Sequence, residues 1–172
     1  LLLKALQLRL KEALDTIQVG PDTRALYMGL SKSQDAIYTI LYKADDVKQV
    51  EIQDDWNKAK GITILENKSI NELYKDDFQN IIEAETYVEA EKAVHKIPRK
   101  QKDNKYTNFF RNFKYFYEKL LLYSESNLNN FAKIFLGKCQ IIEIKSWQIE
   151  QAITMFNSLN STGMPLSDAD II

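Results

Sequence analysis

Apolar residues along this chain recur mostly at helical spacing. Leu3, Leu6, Leu10 and Leu14 form one stripe with Lys4, Arg9, Lys11 and Glu12 largely off it, which predicts an amphipathic helix over 1–14. Val19-Gly20-Pro21-Asp22 is a turn signal. Ser31-Lys32-Ser33-Gln34 has capping-box spacing and leads into a predicted helix over Asp35–Tyr42, although its β-branched and aromatic residues also suit a strand. Residues 47–65 carry no clear period. The pattern is helical over Ile70–Lys92, with Phe78, Ile81, Ile82, Tyr87 and Val88 apolar, and clearest over Tyr106–Tyr123. A helix over Asn127–Leu136 is expected to close at Gly137, followed by a short, buried strand over Cys139–Ile144 and a helix over Ile149–Leu159. The expected class is mainly α with a short β element.

The two ends carry their own signal. The first helix opens without a capping residue, and Ser167-Asp168-Ala169-Asp170 has capping-box spacing with only Ile171 and Ile172 after it. The expectation is a single domain fragment over 1–172, cut from a longer protein at both ends.

Composition narrows the class. Five glycines and three prolines in 172 residues argue against a turn-rich sandwich or barrel and against a disordered linker. The single cysteine, Cys139, excludes an internal disulfide or a multi-thiolate metal site and fits a reducing, cytoplasmic setting. No apolar run approaches the roughly 18 residues needed to cross a bilayer, so no membrane partner is expected.

Net charge is −1, so there is no global field for nucleic acid, but the charge is segregated. Residues 66–91 hold eight acids against two bases, a net of −6, and residues 96–119 hold eight bases against two acids, a net of +6. The two segments could pair across a helical hairpin joined at Ile97-Pro98. Arg99, Lys100 and Lys102 form a cationic loop suited to sequence-independent phosphate contact, or simply a solvated charge run. In the helix that follows, Tyr106, Phe109, Phe110, Phe113, Phe116, Tyr117, Leu120 and Leu121 share one arc, which reads as a core face with a solvated basic back, the alternative being a basic face that touches nucleic acid, and Tyr115 alone breaks the segregation.

Other candidates read as structural. His95 stands at the end of the acidic helix, and one histidine cannot form a metal cluster. Cys139 reads as a packing residue. The doublets Asp54-Asp55 and Asp76-Asp77 point about 100° apart on a helix, which suits solvated caps better than a chelate.

The most informative run is Phe156 to Ile171. It reads as a helix ending near Asn160, a tight turn through Gly163 and a new helix capped at Ser167, whose N-terminal amides can hold an anion. A plain joint between two helices is the competing reading. Phe156, Leu159, Asn160, Gly163, Leu166, Ser167 and Asp170 match, in order and spacing, the signature Phe-x-x-Leu-Asn-x-x-Gly-x-x-Leu-Ser-x-x-Asp-(Leu/Ile). That run resembles the GmrSD-like family of modification-dependent restriction enzymes, in its GmrS-type N-terminal domain. The likeness covers residues 70–172 and, more weakly, the start. There the Leu-rich helix over 1–14 stands where the family has one directly after an Asp-Gly-Gln-Gln-Arg motif. That motif does not occur in this sequence, nor does the basic residue that usually follows the Asp-Ile ending.

The resemblance implies the helical part of a ParB/sulfiredoxin-like α+β domain. It implies a bacterial defence protein that senses or cleaves foreign DNA, with NTP hydrolysis assisted by Mg and often a separate nuclease domain. This fragment is not expected to act alone. On that reading Asn160 holds the turn or contacts a nucleotide, Gly163 allows close backbone approach, and Asp168 or Asp170 caps the helix or helps bind a metal–phosphate. The alternative is a non-enzymatic helical scaffold or interaction module whose −6 and +6 segments bind a partner or each other.

Overall fold

The leucine stripe at the start of the chain becomes α1 (Leu2–Thr16), buried on far more than one stripe. A computed structural model describes residues 1–64, 72–140 and 148–160. In it α1 packs against α2 (Arg24–Leu41), α6 (Asn108–Leu121) and α7 (Glu125–Lys138). A helix flanked on three sides hides most of its circumference, so Ala5, Leu8 and Ala13 join Leu6 and Leu10 in the core. Lys4, expected off the stripe, is fully buried as well.

Between α2 and the acidic region lie α3 (Asp46–Asp54) and a 3-10 turn over Trp56–Ala59, which resolve the ambiguous stretch 47–65 as far as residue 64. Asp45 caps α3 and Asp55 caps the 3-10 turn, each side chain accepting a backbone N–H. The chain then returns to α2 through an isolated bridge between Tyr42 and Thr63, with Ile64 N donating to Leu41 O at 2.9 Å. Two such bridges are the β structure among the described residues.

The acidic region is two helices rather than one, α4 (Glu72–Glu83) and α5 (Tyr87–Ala93). Thr86 accepts from Glu89 N and Glu89 Oε2 accepts from Glu85 N, so this capping pair starts α5 afresh. Val88, expected on the apolar face, is exposed as a result.

α6 buries Phe110, Phe113, Tyr117 and Leu120, and Tyr87 of α5 stacks on Tyr117 with ring centroids 4.5 Å apart. The expected core arc holds except at Leu121, which the end of the helix leaves exposed, and Tyr115 is exposed as its phase requires. α2 meets α7 where Gly29 faces the Asn129 carboxamide, so close that a Cβ would force the carboxamide to shift.

Three further expectations are corrected. α2 begins at Arg24, so Ser31 lies inside it and Ser33 donates its hydroxyl to Gly29 O instead of opening a helix. Gly137 does not close its helix, because α7 continues to Lys138. Cys139 is exposed and Gln140 is in no strand, so the strand does not begin where expected, and its remaining residues lie outside those described.

The chain divides into two compact units, Leu1–Lys138 and Cys139–Ile172. In the second, α8 (Ile149–Asn160) ends where the sequence places it, and Ile153, Met155 and Phe156 are exposed along it. No helix among the described residues is long and apolar enough to cross a membrane.

Candidate functional site

Arg99, Lys100 and Lys102 lie together on one exposed loop between α5 and α6. Its two stems meet in the bridge between Lys96 and Tyr106, with Ile97 N donating to Lys105 O at 2.6 Å. Below the bridge, one carboxylate of α4 holds both stems. Asp77 Oδ1 accepts from His95 N at 2.7 Å and Asp77 Oδ2 accepts from Thr107 Oγ1 at 2.6 Å. Asp77 is therefore a buried clamp and not the solvated cap expected of the Asp76-Asp77 doublet.

The loop above the clamp follows a tight path. Arg99 and Lys102 have φ of 63° and 51°, the left-handed region in which an L side chain costs roughly 1–2 kcal/mol. Strain at two cationic residues of one loop trades stability for a compact group of exposed charges. None of the three forms an ion pair with another described residue.

The loop borders an open groove of about 530 Å³ on the outer face of α6, lined by Asp103, Asn108, Arg111, Asn112, Lys114, Tyr115 and Glu118. Lys114 Nζ is 2.5 Å from Asp103 Oδ1 and 3.7 Å from Glu118 Oε1. The Lys114 hydrogen bond holds the Asp103 carboxyl below its usual value and raises that of Lys114, so the two are paired with each other at the surface. Arg111 hydrogen-bonds Asn108, and Lys119 lies over the exposed Tyr115 ring at 5.5 Å. Cations beside an exposed aromatic ring and two carboxamides can meet both phosphates and bases.

The acidic and basic segments are adjacent, as the hairpin expectation has it, but ion pairs do not join them among the described residues. Their contacts include Thr107 donating to Asp77, Tyr106 donating to Glu91, Phe78 against Phe109 with centroids 5.9 Å apart, and Tyr87 against Phe110, Phe113 and Tyr117.

Of the expected nucleotide-site residues, Asn160 closes α8, while Gly163, Asp168 and Asp170 lie outside the described residues. His95 is exposed and enters the site through its backbone amide.

Two groups escaped the sequence reading. Asp77 falls one helical turn before Ile81 on the buried side of α4, and an acid on an apolar face was the signal for it. Lys4 donates from Nζ to Tyr42 Oη at 2.9 Å and sits 4.7 Å from the Trp56 ring centre. Burial drives its pKa well below the usual lysine value. No pattern in the sequence places Lys4 inside, because its burial follows from three helices converging on α1.

The family model described as GmrSD restriction endonuclease, N-terminal domain, matches residues 5–172 of this chain. No curated protein and no solved structure matches it.

Proposed function

Because this chain belongs to the GmrSD restriction endonuclease N-terminal domain family, we propose that it serves a DNA-targeting, nucleotide-dependent bacterial restriction system. In this reading the protein works in the cytoplasm, and the helices are the helical part of a ParB/sulfiredoxin-like α+β domain. DNA is met by the loop of Arg99, Lys100 and Lys102 together with the neighbouring face of α6. The observation that carries the proposal is the strained, doubly clamped loop, which keeps three exposed cations in one place. A clamped loop loses less conformational entropy on meeting phosphates than a free one. Such contacts position DNA without reading its sequence.

The nucleotide is assigned to the run that begins at Asn160. There Asn160 would offer its carboxamide, Gly163 a close backbone approach, and Asp168 or Asp170 a carboxylate for the magnesium that accompanies the phosphates. Magnesium would neutralise the charge that builds on the phosphates during hydrolysis.

The test is NTP hydrolysis by the longest natural form of the protein. Asn160→Ala and Asp170→Ala should each lower turnover at least tenfold with little change in melting temperature, and a loss of stability at unchanged turnover would refute the assignment. A second reading, a scaffold or interaction module, draws on the exposed Ile153, Met155 and Phe156 of α8. It requires that no salt-dependent DNA binding be found.

A further inference from the structure

The outer side of α6 carries a stripe that core packing does not explain. Asn108, Arg111, Asn112, Tyr115 and Lys119 recur at i, i+3, i+4, i+7 and i+11, so they share the face opposite Phe110, Phe113 and Tyr117, and all five are exposed. Tyr115 is 57% exposed, an aromatic ring that fills no part of the core. Phe116 meets it in a T-shaped contact with centroids 5.7 Å apart, and Lys119 Nζ stands 5.5 Å from its centre. Tyr115 lines the groove described above, whereas neither Phe116 nor Lys119 does, so the part of the ring turned to the groove is open.

The groove suits a flat, uncharged guest. Its volume of about 530 Å³ lies within the roughly 300–1,000 Å³ of small-ligand sites. Arg111 and Lys114 on its walls balance Asp103 and Glu118, and Lys114 is already held by Asp103 at 2.5 Å and approached by Glu118 at 3.7 Å. Asn108 and Asn112 add carboxamides, each a donor and an acceptor of the kind that matches a base edge. Arg111 reaches Asn108 Oδ1 at 3.4 Å, a long bond that a base edge can displace.

The unbalanced charge lies just outside. Lys102 adjoins the groove residue Asp103, and Arg99 and Lys100 share its loop. A strand laid along this surface keeps its phosphates on the loop and turns one base inward to Tyr115. Bases inside an intact duplex are stacked and paired, so only an unpaired base makes this contact.

We propose that the groove takes one unpaired base of a nucleic-acid strand, stacked on Tyr115 with its edge at Asn108 and Asn112, while Arg99, Lys100 and Lys102 hold the flanking phosphates. That the strand is DNA rests on the restriction reading, and the stacking rests on the groove. The protein therefore prefers single-stranded or locally opened DNA to intact duplex.

The experiment measures binding of the full chain to fluorescein-labelled probes of equal length, a thymidine oligonucleotide, a uridine oligonucleotide and a blunt DNA duplex, by anisotropy across a series of salt concentrations. The thymidine strand should bind about tenfold tighter than the duplex, the scale of one stacked base. Tyr115→Ala should remove that advantage and leave the salt slope unchanged, because the ring carries no charge, while Tyr115→Phe should keep the advantage. Both variants should melt with the wild-type chain, since the ring is outside the core. A duplex with one bulged thymidine should gain binding that Tyr115→Ala takes away.

Duplex bound as tightly as the single strand, or single-strand binding that Tyr115→Ala leaves unchanged, overturns the proposal and leaves the restriction reading in place. Loss of duplex binding alone in Asn112→Ala also overturns it, and assigns the α6 stripe to a major groove. Tyr115-dependent binding of the uridine strand without binding of either DNA counts against the restriction reading and keeps the groove. Binding of no probe refutes both.

Discussion

Thr107 Oγ1 donates to Asp77 Oδ2 at 2.6 Å across 30 residues of sequence, in a contact buried on both sides. Since the other oxygen of Asp77 holds His95 N, one carboxylate fixes both stems of the cationic loop. Asp77→Ala should cost about 3–6 kcal/mol, the scale of two buried hydrogen bonds to a charged group. Hydrogen exchange at residues 95–107 should accelerate. Thr107→Val, which removes one bond and keeps the shape, should cost about 1 kcal/mol. Unchanged exchange in Asp77→Ala would show that the loop keeps its shape without the clamp.

The strain in the loop can be separated from its charge. Glycine adopts positive φ freely, so Arg99→Gly and Lys102→Gly should each stabilise the fold by about 0.5–1 kcal/mol in urea denaturation. The same substitutions remove a cation and should weaken DNA binding. Stability and affinity are thus expected to move in opposite directions.

Lys4 gives a pH dependence of defined sign. Its pKa in the folded protein lies well below the ordinary 10.5 because burial disfavours the charged form. Between those two values the unfolded chain binds more protons than the folded one, so stability rises with pH across that window. Lys4→Met should remove that slope and raise stability by about 1 kcal/mol or more near neutral pH. Urea denaturation of both proteins at a series of pH values measures it. Parallel stability curves would contradict the burial of Lys4.

Gly29 allows α2 to approach α7. A Cβ there would stand 2.7 Å from Asn129 Oδ1, and Asn129 is itself buried. Gly29→Ala should therefore destabilise by about 1–3 kcal/mol in thermal unfolding, despite alanine's better helix propensity.

What could be read from the sequence followed the range of the interactions. α6 and α8 were legible because their apolar phases and ends are local, and the cations of the loop were legible as composition. The loop's shape was not, since Asp77 acts on residues 18 and 30 positions away. The break between α4 and α5 was written locally as Thr86-x-x-Glu89, but the apolar spacing ran through it and masked the signal. Lys4, Tyr42 and Trp56 meet only because α1, α2 and the 3-10 turn converge, which no periodicity encodes. Asn160 shows the remaining case, a residue whose helix end was predicted from sequence while its chemistry rests on the family signature.

The central claim, that the clamped loop meets DNA through its phosphates, is tested most directly by salt-dependent binding to duplex DNA. The affinities of the wild-type chain and of Arg99→Ala/Lys100→Ala/Lys102→Ala should be measured across a series of salt concentrations. Each lost phosphate contact lowers the slope of log affinity against log salt by about 0.9, so the triple variant should be shallower by about 2.7. An unchanged slope, or no binding by the wild-type chain at low salt, would contradict the account.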